Sequence, residues 1–520
     1  MDVDIEDWVH DAKECIEINF FRPSTNAERV NKEPLHPEFA YSLFGEEESI
    51  VGYRDPKITL NYRANDLQVT LDIKSKGKVD LATLLPNAEV KQVDINKVFE
   101  EHISTGKIES TTNRDPDALS NTWKPPGERL RSFELNGRQY EIWSTSLADL
   151  VALQLWKRIQ ILVLFYVDGA SPLELDEDWT YERWTLHLLY EVTPLKDAST
   201  SPYTLAGFST SHRYWILPTL EVMRATQHLP SPPPSSNGDA SEQFPPRIEL
   251  AQQDEPRIFK EQVNVLELPS RERISQFLIL PHFQGLGLGT RLYQTLFSHY
   301  VEAKNIYEIP VEDPNEDFDR MRDYCDILYL RKIPEFNNLT LASSLPPEKL
   351  HKKAPIPRDE ILGNGTDLTA LRHKAKIVPR QFDRMLELHL LSTIPPAHRS
   401  RARITRKEKA SNENDRRYYF WRLALKARIY RQNADVLDQL KDEPEERVSK
   451  LEDAVDSQQA EYEERLEALE KRQRAASRGT VRSEGDNSVP KGTKRSRVVV
   501  EDEDEDSEGV GSVSSKKARA

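Results

Sequence analysis

Apolar and polar positions alternate in two stretches early in the chain, Lys57–Tyr62 (KITLNY) and Leu67–Ile73 (LQVTLDI). A period of two sends successive side chains to opposite faces, so both segments read as half-buried β-strands. The spacing changes over 148–164 (ADLVALQLWKRIQILVL), where apolar residues recur at near-helical intervals and run straight into VLFY. This predicts a long amphipathic helix leading into the next domain. Trp184–Val192, Tyr203–Leu217, Ile258–Leu268 and Ile274–Leu280 then read as strands. A helix follows over about Thr290–Lys304, with Leu292, Tyr293, Leu296 and Tyr300 on its apolar side, and a short strand at 306–311 (IYEIPV). Strand, helix and strand around a mixed sheet is an α/β (α+β) pattern.

Residues 228–247 (HLPSPPPSSNGDASEQFPPR) are rich in Pro and Ser, cannot bury a core, and read as a flexible insert. Residues 345–440 look helical, with a basic stretch at Arg399–Arg406 and an aromatic cluster at Tyr418–Trp421. Beyond Pro444 the chain turns charged. Val448, Leu451, Val455, Tyr462 and Leu469 fall near heptad intervals, but Gln458 and Arg465 interrupt the seam. A coiled coil and a solvated single helix both fit. From about 476 the composition predicts disorder. That tail holds Lys494-Arg495-Ser496-Arg497 and Lys516-Lys517-Ala518-Arg519 around an acidic run at 501–506, a pattern that fits a nuclear-import signal and also arises by chance. The expected organisation is therefore 1–140, 141–335 with the insert, a helical region 336–440, a charged helix 441–475 and a tail 476–520.

The length, 520 residues, allows two or three domains at about 150 residues each. Hydrophobic residues make up 37% and charged residues 31%, enough for real cores beside much solvated chain. A net charge of −15 argues against direct duplex DNA binding, which needs excess Lys and Arg, and suits a basic partner better. Cys15 and Cys325 stand too far apart in sequence to argue a disulfide framework or a cysteine metal site. The opening MDVDIEDWVHDAKE lacks a signal-peptide pattern, and apolar runs such as 160–167 are too short to cross a bilayer. A soluble intracellular protein, without metal or membrane, is the expectation.

The chemistry concentrates in Ser275–Tyr300, SQFLILPHFQGLGLGTRLYQTLFSHY. A strand ends at Pro281, a Gly-rich turn follows, and a helix begins at once. Unpaired N–H groups and the helix dipole favour an anion there, and glycines let it approach the backbone. The spacing is not the Gly-x-Gly-x-x-Gly of dinucleotide folds, and no Lys-Ser/Thr follows as in ATP-binding loops. Gln284-x-x-Gly287-x-Gly289 instead fits the Gln/Arg-x-x-Gly-x-Gly/Ala signature of GNAT acetyltransferases. Next stands Val311-Glu312-Asp313-Pro314-Asn315. A lysine ammonium, with a pKa of about 10.4, must lose a proton before it can attack, and a carboxylate in reach can take it. Apolar surroundings would raise that carboxylate's pKa and improve the match.

SQFLILPHFQGLGLG followed by VEDPNEDFDRMRD resembles the type B histone acetyltransferase catalytic subunits. The resemblance reaches HPEFAYSLFGEEESIVGYRDPKITLNY and covers roughly residues 15–335. It implies a GNAT domain behind an N-terminal, mixed β-rich domain that faces a histone tail. The implied reaction moves acetyl from acetyl-CoA to a lysine of newly made histone four, by direct attack in a ternary complex. Glu312 would be the general base, with Asp313 and Asp168 as supporting carboxylates. The backbone of Phe277, Leu278 and Ile279 would pair with the pantetheine arm and polarise the thioester. Gln284, Gly285, Leu286, Gly287, Leu288, Gly289 and Thr290 would hold the pyrophosphate, and Asn315 would meet the CoA end. Glu46, Glu47 and Glu48 would face the basic tail, and Trp179 would pack along the lysine stem, with a second aromatic wall falling near His212. No covalent nucleophile is implied, since Cys325 lies between acidic residues. The resemblance further implies a WD-repeat histone chaperone as partner, cytoplasmic and nuclear location, and roles in chromatin regulation and DNA repair. Two alternatives remain open: a GNAT enzyme acting on a small amine or protein N-terminus, and a non-catalytic histone chaperone.

Overall fold

Three strands near the start of the chain share a sheet because each buries alternate side chains. β1 (Ile16–Phe21) runs parallel to β2 (Lys57–Arg63), and β2 pairs antiparallel with β3 (Val69–Lys74). Ile58, Leu60 and Tyr62 are buried while Lys57 is exposed, as a period of two requires. β3 begins at Val69 rather than at residue 67, because Leu67 takes a φ of 63° in the turn that reverses the chain. The computed structural model describes residues 5–23, 28–79, 94–103, 119–173, 175, 178–193, 199–216, 264, 266–349, 351, 354–405, 412–440 and 443–481. The expected insert at 228–247, most of the expected strand Ile258–Leu268 and the tail from 482 lie outside these residues. Leu266–Leu268 form a turn and bend, not a strand.

The second sheet is built from β4 (Glu128–Leu135), β5 (Arg138–Ser146), β6 (Trp184–Val192), β7 (Tyr203–Trp215), β8 (Ser270–Ile279) and β9 (Ile306–Glu308). Its order is β9-β8-β7-β6-β5-β4, antiparallel from β4 to β8 and parallel only between β8 and β9. Helix α1 (Leu150–Tyr166) enters after Asp149, whose side chain accepts from the N–H groups of Val151 and Ala152. The helix ends buried all round from Ile161 to Tyr166, not on one face as its spacing predicts. The reason is its place against both sheets. Tyr62 donates to the Arg158 carbonyl at 3.3 Å, and the Trp156 indole to Gln276 Oε1 at 3.5 Å. After β8 come α2 (Leu288–Glu302) and, beyond β9, α3 (Glu316–Leu330).

The chain divides into two compact units, Met1–Leu466 and Glu467–Ala520, so the helical region belongs with the sheets. That region contains α4 (Arg358–Gly363), α5 (Leu368–Ala375), α6 (Pro379–Ser392) and α7 (Glu413–Gln432), followed by α8 (Pro444–Val481). Within the first unit α8 is neither a coiled coil nor a solvated helix. Val455, Tyr462 and Leu466 are buried, and ion pairs dock the helix on α3, α6 and α7. Fully buried Glu387 on α6 takes Arg428 at 2.8 Å, Arg358 at 3.0 Å and the Tyr462 hydroxyl at 2.9 Å. Arg465, which breaks the heptad pattern, reaches Asp323 on α3 at 3.3 Å. A buried carboxylate is tolerated only when so surrounded, and the arrangement fixes which face of α8 is seated.

Burial also holds several imidazoles below their ordinary range: His187 at about 3, His282 at about 4, and His389 at about 4 with help from Arg331. In the unfolded chain such groups protonate near pH 6.5, so between about pH 6.5 and 4 the unfolded state binds more protons. Stability contributed by these rings is therefore complete above that window and lost as pH falls through it. The thermal midpoint should fall steadily from about pH 6.5 downward, with a shallower slope in His389→Phe. A midpoint unchanged between pH 7 and 5 would contradict neutral, buried rings.

Candidate active site

Strand β8 presents two faces. Glu272, Ile274, Gln276 and Leu278 are buried, while Arg273, Ser275, Phe277 and Ile279 are half-buried on the other side. One edge pairs with β7, matching Ser209 to Phe277, Phe208 to Leu278 and Gly207 to Ile279. Gly207 is required there, since a Cβ would lie 2.7 Å from the Leu278 carbonyl oxygen. On the other edge β9 accompanies β8 only at Ser270 and Arg271, and a last parallel bridge joins Ile274 to Val311. Beyond it, no described strand pairs with that edge of 275–279. An extended chain can add there through backbone hydrogen bonds.

The loop after β8 turns through Pro281–Phe283, and Gln284 Nε2 donates back to the Ile279 carbonyl at 3.0 Å. Gly285 and Gly287 have φ of 71° and 81°, a region that costs residues with a Cβ. Gly289 serves differently: a Cβ there would sit 3.2 Å from Met321 Sδ and 3.6 Å from Ile279 Cγ1. Helix α2 opens at Leu288 without a side-chain cap. Gln284, Leu286 and the glycines at 285 and 287 are exposed, Thr290 is half-buried, and Leu288 turns into the core. Uncapped first-turn amides beside an exposed, Cβ-free loop fit a diphosphate.

Glu312 is fastened to three consecutive residues of β8. Its N–H donates to the Ile274 carbonyl at 2.9 Å, Ser275 Oγ donates to Oε2 at 2.5 Å, and Arg273 Nη2 lies 3.0 Å from Oε1. The apolar setting expected of a base is thus not what surrounds it; the neighbours are a cation and a hydroxyl. The Arg273 guanidinium lies 4.6 Å from the centre of the Tyr214 ring. His212 packs at 4.3 Å from Tyr214 and 4.5 Å from Trp184, and burial with Arg273 and Arg183 holds its imidazole down at about 4. Asp313 is exposed with a φ of 30°, and exposed Asn315 caps α3, its Oδ1 accepting from the Phe318 N–H at 2.9 Å.

A second group forms around Tyr41. Its hydroxyl donates to Asp168 Oδ1 at 3.0 Å and accepts from the Gly169 N–H at 2.6 Å. Glu48 accepts from Lys13 at 2.5 Å and from the Ala40 N–H at 2.6 Å; these bonds, that from Lys13 foremost, hold its carboxyl below the usual range. Glu46 and Glu47 remain exposed, so only they of FGEEE are free to meet a tail. Among the described residues no hydrogen bond or ion pair joins Asp168 to Glu312 or Asp313. Trp179 stands in the helical turn Asp178–Tyr181, and its side chain lies outside the described residues. Sequence reasoning passed over Arg273, Ser275, Tyr214 and Tyr41. Counting back in twos from Phe277 would have found the first two; Tyr214 and Tyr41 carry no such signal.

A family model described as "Histone acetyl transferase HAT1 N-terminus" matches residues 8–168. The histone acetyltransferase type B catalytic subunit of Gibberella zeae is 35% identical over 483 residues, spanning 90% of this chain and 92% of its own. That of Neurospora crassa is 32% identical over 99% of this chain and 98% of its own. The chain belongs to the type B histone acetyltransferase catalytic subunit family. A solved aminoglycoside acetyltransferase from a soil metagenomic sample aligns with 36% of the chain at 13% identity and a TM-score of 0.19, too low to bear on the fold. Membership in this family makes the chain an acetyltransferase, and acetyltransferases of this kind use acetyl-CoA. The β8 edge and the loop at 284–290 are where the residues fit that cosubstrate.

Gly287→Ala forces a Cβ onto a left-handed residue at a cost of about 1–2 kcal/mol. Calorimetry should show acetyl-CoA binding weakened by roughly 5- to 30-fold. Gly137→Ala, strained likewise at a φ of 75° in the β4–β5 hairpin, should bind normally. Equal affinity in Gly287→Ala and wild type would separate the loop from the cosubstrate.

Proposed function

We propose that the chain transfers acetyl from acetyl-CoA to a lysine side chain in a histone tail, newly made histone four foremost, with Glu312 as general base. The observation that carries this reading is the unpaired edge of β8, which runs from the glycine loop to Glu312. From Ser275 to Ile279 that edge spans about 13 Å at roughly 3.3 Å per residue, a path for an extended arm. Gly289 packs on Ile279 at one end, and Ser275 holds Glu312 at the other.

In this reading Glu312 accepts a proton from the lysine ammonium. The freed amine attacks the thioester carbonyl directly, the C–N bond forms and the C–S bond breaks, and the nitrogen gives up its second proton to the departing thiolate, which leaves as the CoA thiol. Backbone N–H groups near Phe277–Ile279 stabilise charge developing on the carbonyl oxygen. Glu46, Glu47 and Asp168 supply negative potential where a basic tail approaches, and exposed Asp313 adds to it next to the base. Trp179 is assigned to the lysine stem and Asn315 to the CoA end. The names of the relatives support a histone acceptor. The sequence resemblance suggests a WD-repeat histone chaperone as partner and activity in cytoplasm and nucleus, and the net charge of −15 argues against direct DNA contact.

Glu312→Gln preserves shape and removes the proton acceptor. Transfer to a histone-four tail peptide should fall about 100- to 10,000-fold in kcat, with acetyl-CoA affinity unchanged by calorimetry. Full activity in the variant at saturating substrate would remove Glu312 as the base. A small amine that outcompetes the tail lysine, or transfer to a peptide that is lost when its N-terminus is blocked, would instead overturn the acceptor.

A further inference from the structure

The described part of the site contains a cation that the transfer itself does not consume. Arg273 sits two residues before Ser275 on the same face of β8, and the two side chains hold opposite oxygens of Glu312. Its guanidinium also lies over the face of Tyr214, a contact that keeps it in place while leaving its charge beside the carboxylate. Arg273 and Glu312 are about one-third exposed, so the pair is open to an incoming substrate.

Resting on the assignment of Glu312 as base, we propose that Arg273 is a positioning residue that acts through it. With one carboxylate oxygen on Arg273 and the other on Ser275, the plane of the carboxylate is fixed. Each oxygen retains a lone pair, so a proton can still be accepted. The guanidinium also makes a second cation unfavourable at this spot, so a lysine reaching the thioester is favoured there as the free amine. Tyr214 holds Arg273, Arg273 holds Glu312, and only Glu312 touches the reacting nitrogen.

The test compares Arg273→Gln, Arg273→Lys, Tyr214→Ala and Glu312→Gln, alone and paired, in the full chain with a histone-four tail peptide and acetyl-CoA. Arg273→Gln should lower kcat about tenfold or more, leave the peptide KM within about twofold and leave acetyl-CoA affinity unchanged. Arg273→Lys should recover part of the loss, because the charge stays while the planar fork is lost. Tyr214→Ala should lower kcat less and add nothing to Arg273→Gln. In the Glu312→Gln background, Arg273→Gln should cause no further loss, since a residue acting through another is silent once that other is gone. An additive loss in the double variant, or a fall in acetyl-CoA affinity and thermal midpoint matching the fall in kcat, overturns the proposal. Wild-type kcat in Arg273→Gln with an inactive Glu312→Gln overturns it alone; full activity in Glu312→Gln overturns the base assignment beneath it.

Discussion

The parallel bridge between Ile274 and Val311 is the constraint on which the site depends. Among the described residues it is the last point at which β8 has a backbone neighbour on its outer edge. Before it, β9 pairs with β8 at Ser270 and Arg271; after it, no described strand covers that edge, which leaves room for an added extended chain. The bridge also delivers Glu312 to β8, because the next N–H along donates to the Ile274 carbonyl. One backbone contact therefore ends a sheet edge and places an acid at that end.

The rest of the fold keeps this divergence in register. Gly207 lets β7 lie close against Leu278 and Ile279, so β8 is fixed from its paired side. Gly289 lets α2 come down onto Ile279 near Met321 of α3. Helix α3 is held from behind by Arg384 and Arg465, both on buried Asp323. Through these pairs the C-terminal helices brace the element whose first turn stands beside Glu312. Charged groups so deep contribute little net stability, but they tolerate few alternative packings.

The carboxylates of the candidate site differ in their partners. Glu312 has a cation and a hydroxyl as partners, whereas Asp168 accepts from the Tyr41 hydroxyl and Glu46 and Glu47 stand exposed. Asp168, which the resemblance sets among the supporting carboxylates, is oriented by Tyr41, and Glu312 is oriented by β8.

Local pattern was enough for much of this. Alternation located β2, and apolar strand-like runs located β6 at its full extent and β8 within a few residues. The Gly spacing between strand and helix marked the tight turn at 285–289, because left-handed φ and close approach are demands a single residue type answers. Glu312 was visible as a carboxylate after a short strand. What the sequence left undecided was everything set by two segments meeting. Val311 parts from β8 after one bridge, Arg273 and Tyr214 converge on Glu312 from different strands, and α8 docks on α3 through Arg465. Periodicity reports which face of an element is apolar, but not which element covers it, and side chains as far apart as Asp323 and Arg465, 142 residues, leave no local trace of their contact. The sequence by itself determined the elements and the chemical groups available; only tertiary structure decided which of those groups share a site.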